Sequence, residues 1–297
     1  MENSYKPQVL ESFSKQKKGF LSKMSIVEEI ARTKFIMVVA ANTLDATIGK
    51  GCIADVECVR QTFGSLSSEM NFNFLELVIE GADYGKKNII NAIDLLEPGS
   101  NDIVLFYYSG HGFSYEEDAD KKYPQVDLRT PDASDKIDIV NAHTENLADI
   151  FERVKSRGAR LNIVIGDCCN SLINFKRVFG RVVPVRPHKE DKKPLNKKTV
   201  EALFCDYTAS ILVGSADKGL YAVSDDNIGS LFTYNLSKGL RRLMKQEIDT
   251  NAGLPWSKLL KQSTNKTYKL SQQYDIGGGV PGNQKAIYNI EFRATLY

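Results

Sequence analysis

Histidine and tryptophan are scarce in this chain, cysteines are few and odd in number, and no long apolar run is present. The 297 residues include three histidines (His111, His143 and His188), one tryptophan and five cysteines, at 52, 58, 168, 169 and 205. No cysteine spacing matches a zinc ribbon, and the scattered histidines complete no finger, so a structural metal is not expected. Adjacent cysteines such as Cys168 and Cys169 rarely pair with each other, which argues against a disulfide framework and for a reducing compartment. The N-terminal MENSYKPQVLESFSKQKKGF lacks the apolar core of a secretory signal. With no run of about eighteen apolar residues, no membrane-spanning helix is expected. The expectation is a cytoplasmic protein without a membrane partner. A net charge of +2 gives no argument for a nucleic-acid partner.

What is present suits a globular core: 42% hydrophobic and 26% charged residues. Residues 1–33 are polar and lysine-bearing, with one or two short helices such as SIVEEIAR, and read as an accessory segment. From residue 34 the pattern changes to strands alternating with helices. KFIMVVAAN is an unbroken apolar run, as in a strand covered on both faces. ADVECVRQTFGSL has helical spacing, NFLELVIE reads as a strand, and KKNIINAIDLLEPGS as a helix with a Pro-Gly stop. DIVLFYYSGHG is a third strand, ENLADIFERVKSRG a helix ended by Gly158, and LNIVIGDCC a fourth strand. This alternation predicts βαβ units with right-handed crossovers, and so an α/β fold with a mainly parallel central sheet. Residues 176–205 break the rhythm: the stretch is basic, proline-bearing and reads as a linker. ASILVGSAD, the amphipathic GSLFTYNLSKGLRRLMKQ and a last strand in AIYNIEF complete the chain.

Two strand ends carry chemistry. FYYSGHG delivers His111, and IGDCCNS delivers Cys168 and Cys169. Ligands of open parallel sheets sit beyond the carboxyl ends of the strands. A histidine and a thiol side by side there suit nucleophilic catalysis, because an imidazole raises the thiolate fraction and can then protonate a leaving amine. Gly112 lets the backbone approach a substrate, and its N–H can join that of the cysteine in an oxyanion hole. Each signal is weak alone, since a cysteine at a strand end is usually a small buried apolar residue. Together, about 58 residues apart on two strand ends, they are far more specific.

On these residues the chain resembles the caspase-like cysteine peptidases, in particular their metacaspase and orthocaspase branch. YYSGHG is similar to the family's histidine motif, and DCCNS to its D-x-C-H-S-G motif, which makes Cys169 the nucleophile. ILVGSADKGLYAVSD and GSLFTYNLSKGL resemble the start of the small subunit. The resemblance implies a caspase-like α/β/α sandwich spanning 34–297: a large-subunit-like part (34–175), the basic linker (176–205) and a small-subunit-like part (206–297). It implies peptide hydrolysis through an acyl-enzyme on protein or peptide substrates. GCIAD at 51–55 resembles the metacaspase G-C-x-x-D motif, so Cys52, Asp55, Ser109 and Asp167 are expected to line the specificity pocket. Two carboxylates there imply cleavage after Arg, with Lys second. A cleavable linker would offer Arg181, Arg186, Lys192, Lys193, Lys197 and Lys198 to self-processing. The sequence departs from the family at Asn170 and Leu172, where a His and a Gly are usual. Many metacaspases use calcium held by acids after the cysteine motif; LINFKRVFGRVV has none, so no metal or other cofactor is expected. Residues 1–33 could dock a regulatory protein partner. The alternative reading is a caspase-fold pseudoenzyme or scaffold that binds a protein partner.

Overall fold

A computed structural model describes residues 33–118, 120–130, 132–172, 193–248 and 254–292. The N-terminal segment with SIVEEIAR lies outside these residues, as do Arg181, Arg186 and Lys192 of the basic linker. The chain order is β1 (Lys34–Ala41), α1 (Gly49–Glu69), β2 (Asn73–Ile79), α2 (Lys86–Asp94), β3 (Ile103–Ser109), β4 (Gly112–Phe113), β5 (Gln125–Asp127), α3 (Ile137–Ala142), β6 (Thr144–Asn146), α4 (Leu147–Lys155), β7 (Leu161–Asp167), α5 (Lys197–Phe204), β8 (Ala209–Gly214), β9 (Ser224–Asp225), β10 (Gly229–Ser230), α6 (Leu231–Met244), α7 (Pro255–Ser271) and β11 (Ile287–Phe292).

Six strands form the central sheet in the order β11-β8-β7-β3-β1-β2. Neighbours are parallel except for β11, which runs antiparallel along β8. The apolar runs become strands because both faces of the sheet are covered. In β1 the alternation sends Phe35, Met37 and Val39 to one core and Ile36, Val38 and Ala40 to the other. The first core is closed by Val59 and Phe63 of α1, Phe204 of α5, Leu236 and Leu240 of α6, and Trp256 and Leu259 of α7. The second is closed by Ile89 and Ile93 of α2 and Ile150, Phe151 and Val154 of α4. This is the α/β/α sandwich expected from the sequence. The order reverses direction between β1 and β3, and the crevice at such a switch point is where ligands of open α/β sheets bind.

Several features differ from the sequence reading. The linker was expected to run to residue 205, yet Lys197–Phe204 is a helix that buries Val200, Leu203 and Phe204. Asn196 caps it by accepting the Thr199 N–H at 3.1 Å, and the Asn196 N–H donates to the Met244 carbonyl. Lys197 and Lys198 therefore begin a docked helix, and Lys193 lies just before it. Helix α7 was not anticipated. Its buried stripe of Trp256, Leu259, Leu260, Ser263 and Thr267 is partly polar, which hides the apolar periodicity. The small sheet β4-β5-β6 also escaped notice, because strands of two or three residues carry too little pattern.

Trp256 ties α7 to α5: its ring stands edge-on to Phe204 at 5.7 Å and its indole N–H donates to the Leu203 carbonyl at 2.8 Å. Replacing Trp256 by Ala removes a fully buried ring and one of the two donors to that carbonyl, the Tyr207 hydroxyl remaining at 2.8 Å, so we expect a loss of about 3–5 kcal/mol in urea unfolding, mostly from the cavity.

Candidate active site

The site is assembled at the carboxyl ends of β1, β3 and β7. Along the β3–β7 ladder Ser109 stands opposite Asp167, and the Gly110 N–H donates to the Asp167 carbonyl at 3.3 Å. His111 and Cys169 each lie two residues beyond that last rung, so the register brings them level at one rim. The Ser114 N–H donates to the Ser171 carbonyl at 2.8 Å, which carries the neighbourhood of the two segments past the histidine and the cysteine.

Gly112 shows how tightly the rims approach. A Cβ placed on it would stand 2.5 Å from the Cys168 sulfur and 2.6 Å from the Cys169 carbonyl oxygen. The Asp127 N–H donates to the His111 carbonyl at 3.0 Å, which makes Gly112 and Val126 a non-hydrogen-bonded pair. The Gly112 amide consequently faces away from β5.

The Cys169 sulfur accepts the Ala222 N–H at 3.3 Å, and its thiol reaches the Ala222 carbonyl at 3.7 Å. Burial pushes this thiol up to about 11, against the Ala222 amide, which favours the thiolate; the Asp167 charge pushes the same way as burial. Cys168 is buried more deeply, and burial holds its thiol far above the ordinary range. Burial thus favours the neutral thiol over the thiolate at Cys169. His111 is hydrogen-bonded through Nε2 to Asp45 Oδ2 at 3.1 Å. Among the described residues the imidazole and the Cys169 sulfur make no direct hydrogen bond. Asn170, the departure from the family motif, is a clamp. Its backbone pairs with Leu220 and Gly219, and its side-chain amide donates to the Lys122 carbonyl at 2.7 Å. It holds the 216–222 segment beside the sulfur.

The four residues expected to form the specificity pocket do come together. Cys52, Asp55, Ser109 and Asp167 are all buried, at 2–4% exposure. The Ser109 hydroxyl donates to Asp55 Oδ2 at 2.8 Å, and the Cys52 thiol leans on the Ser109 carbonyl at 3.6 Å. Further partners were not anticipated. The Ser230 N–H donates to Asp55 Oδ1 at 2.7 Å, the Ser230 hydroxyl to Asp167 Oδ1 at 2.6 Å, and Thr233 to Asp167 Oδ2 through both its hydroxyl and its N–H. Gly229, at φ 74°, permits this contact, because a Cβ there would meet Asp55 Oδ1 at 2.1 Å. Burial, and then the charge of Asp167, push the Asp55 carboxyl well up. Asp167 is raised by burial in spite of its hydroxyl donors. Two buried carboxyls this close cannot both ionise easily without a cation.

Asp45 was announced by no motif. It lies after β1 in ANTLDATIG, and 66 positions separate it from His111. Its sequence signal is that of a turn before a helix.

Among the described residues no group of three or more His, Cys, Asp or Glu could hold a metal ion. Asp225 keeps one buried oxygen without a partner, but its other oxygen serves Asn227, and calcium takes about six to eight oxygens.

A family model, the caspase domain, matches residues 35–275. The chain belongs to the caspase-domain family. No curated protein matches it. Among solved structures it is similar to a protein from Geobacter sulfurreducens (13% identity, TM-score 0.51, covering 89% of this chain and 95% of that one). Caspase-1 from Spodoptera frugiperda also aligns, at 13% identity and TM-score 0.48, over 88% of this chain and 86% of that one. At such identity the first likeness speaks for the fold alone. The described cysteines are all free, and among the described residues no helix is long and apolar enough to cross a membrane.

The contact at Gly112 gives a direct test. Gly112→Ala forces a methyl into the Cys169 backbone, which a side-chain rotation cannot relieve. We expect this overpacking to cost about 1–3 kcal/mol in urea unfolding.

Proposed function

We propose that this caspase-domain protein is a cysteine endopeptidase of the metacaspase type, which hydrolyses peptide bonds after Arg, and after Lys second, using Cys169 and His111. The observation that carries the reading is the β3–β7 register, which sets an imidazole and a thiol at one rim with Asp55 and Asp167 directly behind. In this reading the Cys169 sulfur attacks the scissile carbonyl carbon as its proton passes to His111. The oxyanion is met by the amides of Gly112 and Cys169. The tetrahedral adduct collapses to a thioester, and the imidazolium returns its proton to the departing amine. Water, deprotonated by His111, then attacks the thioester and releases the acid and the thiol.

The basic preference rests on the buried carboxyl pair. A substrate guanidinium would supply a cation that the pair lacks among the described residues, and charge-assisted bonds in a desolvated site are the strong ones. Self-processing is part of the proposal and centres on the basic linker; Lys193 precedes α5, whereas cleavage at Lys197 or Lys198 requires its first turn to unwind.

One observation favours the second reading, a scaffold that binds a protein partner. All four oxygens of Asp55 and Asp167 already accept hydrogen bonds within the protein. An arginyl active-site-directed inhibitor separates the two readings: labelling of Cys169 supports the peptidase, and its absence supports the scaffold.

The decisive experiment uses the purified chain and its Cys169→Ala variant with peptides carrying Arg, Lys, Asp or Ala before the scissile bond, with and without calcium. We expect cleavage in the order Arg, Lys, then the others, unaffected by a calcium chelator and abolished in the variant; a preference for Asp overturns the pocket assignment. Linker cleavage, read by mass spectrometry, should likewise vanish in Cys169→Ala. The pH dependence has a defined sign. Arg binding needs ionised carboxylates, and both carboxyls sit above their ordinary range of about 4. The advantage of Arg over Ala peptides should be full at high pH and should fade as pH drops through a window above about 4. Asp167→Asn should cost the Arg peptide about 100-fold or more in kcat/KM and the Ala peptide much less.

A further inference from the structure

We infer that Asp45 is the residue that positions His111, so that the site works as a Cys–His–Asp unit; this rests on the peptidase reading. The geometry divides the carboxylate into two halves. Oδ1 is held by three donors from its own turn: the Thr47 N–H at 2.7 Å, the Thr47 hydroxyl at 2.5 Å and the Ile48 N–H at 3.1 Å. The Asp45 carbonyl accepts the Gly49 N–H at 3.0 Å, which ties the turn to the start of α1. Oδ2 is left to face His111 Nε2 at 3.1 Å. The carboxylate side chain is only 16% exposed, whereas the imidazole is 36% exposed.

The chemistry comes from this division. Burial alone would raise the Asp45 carboxyl, but the hydrogen bonds from His111 and Thr47 and the charge of the imidazole outweigh it and hold the group below the usual carboxylate range. An ionised carboxylate only accepts, so His111 Nε2 must carry the proton. The remaining ring nitrogen, Nδ1, is then the one with a lone pair, and it is the nitrogen available to take the Cys169 proton. Asp45 thereby selects the tautomer, limits rotation of the ring and stabilises the imidazolium formed during attack. The neighbouring thiols cannot substitute. Cys52, on α1, is pushed up to about 12 by burial and stays neutral, and Cys169 is the proton donor itself.

The test uses Asp45→Asn. The new side-chain oxygen can keep accepting from Thr47 and Ile48, while the new NH2 presents a donor to Nε2 and so favours the opposite tautomer. We expect kcat to fall by about 10²–10⁴-fold with KM little changed, and Asp45→Glu to recover part of the loss. The tautomer is read independently of any substrate, by nitrogen-resolved NMR of the His111 ring in the Cys169→Ala background. Protonation at Nε2 when Asp45 is present, and a shift toward Nδ1 in the Asp45→Asn variant, would support the assignment. An unchanged tautomer, or wild-type kcat in Asp45→Asn, would overturn it. If no peptide is cleaved by the unaltered chain, the peptidase reading fails and the NMR result alone decides the role of Asp45.

Discussion

The parallel register of β3 on β7 is the constraint on which the rest of the molecule depends. Ser109 opposite Asp167 sets His111 and Cys169 level, and the same two rung residues belong to the buried polar cluster beside them. The register is held by the two cores. Leu105 and Ile163 feed one face of the sheet, and Val104, Phe106 and Val164 the other. A slip of one residue would turn each of these side chains to the wrong face. The arrangement of side chains at the rim is therefore secured by hydrophobic packing well below it, with Gly112 letting the two rims close on each other.

Burial then sets the electrostatic character of the site. The Cys169 thiol and the Asp55–Asp167 pair are all shifted toward their neutral forms by loss of water, whereas Asp45, with three donors and an imidazole, is shifted toward its charged form. The raised pair is a cost to the fold: its ionisation is disfavoured in the folded state, so it removes stability as pH rises through the carboxylate range. The lowered Asp45 acts in the opposite sense, contributing stability that is lost as pH falls through that range. Two buried acids with no ion-pair partner among the described residues are a local conflict of the kind that marks functional sites.

The sequence was most informative where an element is long and covered on both faces. KFIMVVAAN, DIVLFYYSG and LNIVIGDCC are legible because their strand residues are almost all buried, and the two loaded strand ends are read directly off them. Legibility failed where polar residues line a packing face, as in α7, and where strands are too short to show a period, as in β4, β5 and β6. It failed again for Asp45, Ala222, Ser230 and Thr233. Each meets the site across at least 53 positions of chain, and local pattern carries no information about such pairings.

Composition and periodicity alone pointed to an α/β fold with a mainly parallel sheet, the two motif-bearing strand ends singled out His111 and Cys169 as the candidate reactive pair, and the resemblance of those motifs implied the caspase type. Those conclusions depend on local properties: which residues are apolar, and which residues sit at the end of each apolar run. Only the tertiary structure decided that Asp45 holds the imidazole, that Ala222 leans on the sulfur, and that Ser230 and Thr233 occupy the carboxyl pair. Those contacts arise where separate loops converge on one rim, and convergence is a property of the packed sheet and its register, not of any segment in it.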